Sequence, residues 1–183
     1  MLPNRRIVLS LLAAVALVAL AGGVSACGYS HDSKHVTEGE PVTLGELAFN
    51  VTFSRYLNPA DNEDSAYLVG QPPPPPGATY FGVFFEVQNE SEEPQILPST
   101  LTITDADHNH FEVLPSESIY ALELGGEVES QEQVPVLDST ADLGAIEGAL
   151  AVFLLPDEAS EARPLTLEIP GADGETGEVT LDL

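Results

Sequence analysis

Tryptophan is absent from this 183-residue chain, methionine occurs only at position 1, cysteine only at position 27, and lysine and arginine together number 5. Each shortage removes a class of function. A lone cysteine forms no internal disulfide and no multi-thiolate metal site. Five cations against 30 acidic residues leave a net charge of −25, which repels phosphate backbones and excludes nucleic acid as a partner. Carboxylates are plentiful, and a glycosidase needs a pair of them, but the sugar clefts of such enzymes are usually walled by tryptophan. Neither a G-x-S-x-G elbow nor an H-E-x-x-H zinc pair occurs, so no motif marks a prepared nucleophile or a metallohydrolase. Beyond residue 27 no apolar run approaches the roughly 20 residues needed to span a membrane.

What is present begins at the N-terminus. Arg5 and Arg6 precede a charge-free stretch, residues 7–20, rich in Leu, Ala and Val. Gly22 and Gly23 break it, and Val24-Ser25-Ala26-Cys27 follows. Charged start, apolar middle and small-residue end is the order of a secretory signal. The charge-free part is too short for a transmembrane helix. With cysteine after the small residues, the pattern resembles the signal of bacterial lipoproteins. That resemblance implies removal of residues 1–26 and a diacylglycerol, with palmitate-type chains, on Cys27. Two chains suffice for stable membrane attachment where one does not. The implied location is the cell membrane, on its extracytoplasmic side, with no free thiol left. All the acidic residues lie beyond Cys27, where Lys34, Arg55 and Arg163 are the only cations; such a surface serves solubility. Residues 27–41 show no apolar period and read as the lipidated cysteine followed by a flexible tether reaching about 20 Å.

Alternation places the strands. In residues 46–54, Leu47, Phe49, Val51 and Phe53 alternate with Ala48, Asn50, Thr52 and Ser54, so the first set shares one face, toward a core. Residues 80–88 repeat the pattern with Phe81, Val83, Phe85 and Val87. Residues 149–155 are a continuous apolar run ended by Pro156, as in a strand buried on both faces. Shorter strands are expected at 101–104, 111–114, 134–137, 165–169 and 179–183. No amphipathic helix is expected beyond one turn within 157–162. The fold expected for residues 42–183 is all-β, an antiparallel immunoglobulin-like sandwich of about seven to nine strands. A connection at 57–79 interrupts it. It holds Asp61, Glu63 and Asp64, then consecutive prolines at 72–76, which form a stiff polyproline II rod of about 15 Å. Connections of this length are often functional.

Two loops carry residue types that bind metals. Residues 105–110 read Asp-Ala-Asp-His-Asn-His. Asp105, Asp107 and Asn109 match the first three ligand positions of a calcium loop. His108 and His110, two apart on an extended segment, can face one ion. The match stops there: His110 stands where the loop needs glycine, and Ser116 where it needs a bidentate glutamate. A polar turn whose Asp and Asn bond backbone groups explains the same residues. Asp61, Glu63 and Asp64 offer oxygens to Ca²⁺, or form a solvated loop. No cofactor is expected. The prolines contain P-x-x-P spacing, but readers of such motifs usually want a flanking cation. None is near, so the segment reads as a stiff loop rather than a ligand. Ser116 and Ser118 beside Glu117 lack a placed histidine.

Three stretches share a layout: Tyr80-Phe-Gly-Val-Phe-Phe-Glu-Val-Gln-Asn89, the strand and turn from Leu101 to Asp105 before Phe111, and Gly148-Ala-Leu-Ala-Val-Phe-Leu-Leu155 followed by Arg163-Pro164-Leu165. From about residue 42 onward this layout resembles the telokin-like, immunoglobulin-like domains of unknown function found in many bacterial lipoproteins. The proline-rich loop departs from their pattern, as does the lack of a Pro-Gly before the late strand. The resemblance implies a sandwich and an envelope location, and it brings no catalytic residues. The expected function is therefore a non-enzymatic envelope interaction or accessory module, meeting an envelope protein through the 57–79 loop and the 105–110 turn. The alternatives are extracytoplasmic binding of a divalent metal (Ca, Zn or Cu) through the acidic and histidine-bearing loops, and a surface hydrolase.

Overall fold

The computed structural model describes residues 33–172 and 174–181. The signal segment 1–26, Cys27 and His31 lie outside the described residues. The strands are β1 (Ser33–Thr37), β2 (Val42–Leu44), β3 (Leu47–Leu57), β4 (Ala78–Asn89), β5 (Gln95–Ile96), β6 (Thr102–Thr104), β7 (His110–Glu112), β8 (Glu127–Val128), β9 (Gln133–Val134), β10 (Ala149–Pro156), β11 (Leu165–Pro170) and β12 (Thr176–Leu181). One short helix, α1 (Asn62–Tyr67), and a 3₁₀ turn at Asp157–Ser160 accompany them.

The first sheet has the order β1-β12-β11-β6-β7. The second runs β10-β4-β3-β2, with β9 beside β4, and β5 and β8 form a separate pair. Pairing is antiparallel throughout, except that β1 lies parallel to β12. Phe49, Val51, Phe81, Phe85 and Val87 from one sheet meet Ile103, Leu167, Ile169 and Val179 from the other. The protein is thus an all-β sandwich, as its alternating segments predict. It has more strands than expected because β1, β2, β5 and β8 are too short, or too poor in apolar residues, to show a period.

Three local expectations need correction. First, the tether ends sooner than residue 41: Ser33–Thr37 is an edge strand, registering Ser33 with Thr176 through to Thr37 with Thr180. Val36 is its only apolar residue, so backbone pairing holds it, without a hydrophobic stripe to announce it. Second, the 57–79 connection contains α1, and β3 and β4 extend into its ends. Third, Phe53 is not in the core. Val51 registers with Phe85 but Phe53 with Phe84, so Thr52 is an extra residue in a β-bulge, which turns the strand over. The Thr52 hydroxyl donates to the Glu147 carbonyl at 3.0 Å. Beyond the bulge Phe53 is 43% exposed, while Ser54 is buried and its hydroxyl donates to Glu38 at 2.5 Å.

The second sheet is covered on its outer face too. Tyr80, Phe84, Leu150 and Val152 project there and pack with Leu57, Tyr67 and Leu68. Gly82 permits this packing: a Cβ at that position would meet Leu57 and Leu150 side-chain carbons at 3.0 Å. β10 is therefore buried on both faces, as its unbroken apolar run predicts.

The strands define two poles. β3 runs from Leu47 at one end to Leu57 at the other, about 33 Å at the usual strand rise. β1 enters at the Leu47 end. There Lys34 Nζ donates to the Thr43 carbonyl at 2.6 Å and pairs with Glu175 at 2.8 Å. Glu175 in turn accepts from the Gly45 amide. Farther along, Glu38 accepts from the Ser54 amide at 3.1 Å. The near pole therefore holds Ser33 and the turns around Gly45 and Glu175. The far pole holds Leu57, Ala78 and Pro156, which adjoin through the registers Leu57–Tyr80 and Pro156–Ala78.

Candidate functional site

Both loops singled out from the sequence lie at the far pole. The 57–79 connection leaves the sheet at Leu57 and returns at Ala78. The 105–110 turn joins the same pole through the Ala106 amide, which donates to the Ala162 carbonyl at 2.9 Å just after the 3₁₀ turn.

The first half of the connection is built around Asp64. Asp61 caps α1, its carboxylate accepting from the Glu63 amide at 2.8 Å and the Asp64 amide at 3.4 Å. Glu63 and Asp64 suit the positive end of the helix. The Asp64 carboxylate is buried. It accepts from Arg55 Nη2 and, at 2.7 Å, from the Asn58 amide. Glu63 also approaches Arg55, at 3.4 Å. A helix this short does not persist alone; Tyr67 docks it, packing edge-on against Phe84 and Tyr120 with ring centroids 5.2 and 4.9 Å apart. Burial, first, and the nearby Glu63 charge push the Tyr67 hydroxyl above its ordinary pKa.

The second half is the proline segment. Each of residues 71–75 precedes a proline, which bars the helical region and leaves extended backbone. Gly70, at φ +84°, turns the chain out of α1, and a Cβ there would meet Glu117 at 3.0 Å. Both ends are tied down. Gln71 Nε2 donates to the Pro115 carbonyl and the Tyr80 hydroxyl to the Pro72 carbonyl, each at 2.6 Å. At the other end the Asp157 amide donates to the Gly77 carbonyl at 2.9 Å, and the Ala78 amide to the Pro75 carbonyl at 3.2 Å. Pro72, Pro73, Pro75 and Pro76 remain exposed.

The 105–110 turn is arranged in the opposite way. Asp105 is buried, and its carboxylate accepts from the Asp107 amide, the Asn109 amide and Asn109 Nδ2, all at 2.9 Å. Burial alone would raise its pKa; the Asn109 side chain, the Asn109 and Asp107 amides and the nearby His108 outweigh it and hold the carboxyl below its ordinary value. Asp107 is exposed, as is His108, which sits at φ +63°. His110 lies in β7 with Nδ1 3.0 Å from the Thr104 hydroxyl. His35, in β1, pairs with Glu178 at 2.8 Å.

The metal-type residues therefore do not converge. Asp61 caps a helix, Asp64 and Glu63 engage Arg55, and Asp105 organises its own turn. Among the described residues no group of three or more His, Cys, Asp and Glu is gathered to hold a metal ion. A cleft of about 570 Å³ opens between Phe53, Arg55, Tyr56, Asn58 and the α1 acids, but its one cation is already paired. A second cavity of about 540 Å³ lies between Ser99–Thr100, residues 113–116, residues 121–124 and β10. Ser118, in the chain between two of these segments, donates its hydroxyl to the Ala66 carbonyl at 2.8 Å. Sequence reading misses Tyr80 and Gln71 as anchors of the prolines, and it misses α1. Asp61 followed by two acids is a helix-start signal that marks the latter.

No protein-family model matches the chain, and a search of the curated proteins finds no match. Several solved structures are similar to it. The YjhA protein from Bacillus subtilis is 14% identical with a TM-score of 0.53, over 80% of this chain and 99% of its own. An uncharacterized β-sandwich protein from Clostridium difficile 630 is 14% identical with a TM-score of 0.49, over 81% of this chain and 94% of its own. A candidate lipoprotein from Bacillus subtilis is 10% identical with a TM-score of 0.49, over 80% of this chain and 39% of its own. The likeness to the YjhA protein agrees with the sandwich fold and shows nothing further. Among the described residues, no helix is long and apolar enough to cross a membrane.

Proposed function

We propose that this protein is a lipid-anchored extracytoplasmic module that acts by binding an envelope protein rather than by catalysis. The observation that carries the reading is Cys27 directly after Val24-Ser25-Ala26, behind two arginines and an apolar stretch. Residues 28–32 separate that cysteine from β1, and six residue steps reach at most about 20 Å. An anchor at Cys27 would hold the start of β1 within that reach of the membrane. The non-catalytic half draws support from the far-pole side chains. The Asp61, Asp64 and Asp105 carboxylates and the Ser118 hydroxyl are engaged in internal bonds, so none of these groups is poised as a nucleophile or base. Metal binding has no such support, because a cation would take Asp64 from Arg55 or Asp105 from three donors. A surface hydrolase lacks support for the same reason.

The test is metabolic labelling of the full chain with an alkyne-tagged palmitate analogue. Wild type takes up label and sediments with membranes, and Cys27→Ala does neither. Unlabelled wild-type protein overturns the anchor.

A further inference from the structure

We infer that the prolines at 72–76 are a preformed ligand for a partner groove lined by aromatic side chains and rimmed by basic residues. This rests on the reading of the protein as a binding module, and it does not depend on the lipid.

A loop that served only to close the sandwich would turn its apolar rings inward. Here Pro72, Pro73, Pro75 and Pro76 are exposed, while hydrogen bonds to the Pro72, Pro75 and Gly77 carbonyls fix both ends of the segment. Such a rod has already lost the conformational freedom that binding ordinarily removes. An extended proline helix also presents rings and carbonyls in the spacing that aromatic grooves accept. More apolar surface adjoins its start. The Glu117 amide donates to the Val69 carbonyl at 3.4 Å. Val69 and Ile119, on the two segments so joined, are 45% and 74% exposed.

Charge sets the partner's sign. The connection itself carries Asp61, Glu63 and Asp64 and no cation, Glu117 abuts Gly70, and Asp157 follows Gly77 in the hydrogen-bond pattern. The two cations of this pole are engaged within the protein: Arg55 is bound by Asp64, and Arg163 donates Nε to the Ser160 carbonyl at 3.0 Å. The absence of a flanking cation thus does not disqualify the prolines. It selects a reader whose rim is basic instead of acidic, and it predicts association that weakens with salt.

The experiment places a photo-crosslinking amino acid at Val69 of the full chain in the cells that make it, with palmitate labelling read in the same samples. A synthetic peptide of residues 69–79 serves as competitor on isolated envelopes. The expected result is a discrete adduct that falls about tenfold in the Pro73→Ala, Pro75→Ala variant. It also falls with Glu117→Lys and with added salt, and it is displaced by the peptide but not by the same peptide carrying the two alanines. Two results overturn the inference: no adduct from folded wild type, or an adduct whose yield the alanines leave unchanged. Anchor failure is separate: it shows as lost palmitate label, whatever the adduct does.

Discussion

The 105–110 turn and the 72–76 rod share a pole and are built on opposite plans. The turn is full of side chains associated with chemistry, and it points the decisive one inward: three donors converge on the buried Asp105 carboxylate. The rod has no ionisable group, and it spends backbone carbonyls on anchoring while its rings face out. The loop that looks like a site buries its central carboxylate; the loop that looks like filler exposes most of its rings. Residue type alone does not distinguish the two. What separates them is where each hydrogen-bonding group finds its partner.

Substitutions can break this contrast, and the interior sets the scale. Phe85→Asp or Val152→Asp puts an unpaired carboxylate among fully buried residues and should lower stability by about 4 kcal/mol or more; denaturant melts give the value. Next comes Asp64→Ala, which leaves Arg55 only its longer approach to Glu63 and strands the Asn58 amide. Arg55 retains some contact with water, so the expected loss is about 2 kcal/mol, with α1 opening first in hydrogen exchange.

Asp105→Ala removes one acceptor from three donors and should cost about 1–2 kcal/mol. Its effect also depends on pH. The Asp105 carboxyl titrates below its ordinary value when folded. Its contribution is therefore complete above the unfolded pKa, about 3.9, and fades as pH falls through the folded value. The gap between wild type and Asp105→Ala should accordingly narrow in acid. The smallest effect belongs to the rod. Pro73→Ala should cost only about 0.5 kcal/mol, through greater freedom of the unfolded chain, since the ring touches little.

Much of the fold is legible in the sequence, and the rest is hidden for physical reasons. β4 and β10 are long and apolar enough that burial pattern and strand coincide. β3 is legible only as far as Thr52, since a bulge shifts period two without any special residue to mark it. β1 is invisible because an edge strand can be held by its backbone ladder alone. The candidate site was half legible. Length and proline content pick out the 57–79 connection, and Asp and Asn at turn spacing foretell the 105–110 hairpin. The Tyr80–Pro72 bond and the docking of Tyr67 are contacts between segments, and no local pattern records them.

The contrast between scaffold and surface is tested most directly by comparing Asp105→Ala with the Pro73→Ala, Pro75→Ala variant in the full chain. Melting temperature and adduct yield from the Val69 crosslinker are read together. Asp105→Ala should lower the melting temperature and keep the adduct per folded molecule, while the proline variant should lose the adduct and nearly keep the melting temperature. The reverse pattern would contradict the account, making the turn the contact surface and the rod a structural strut.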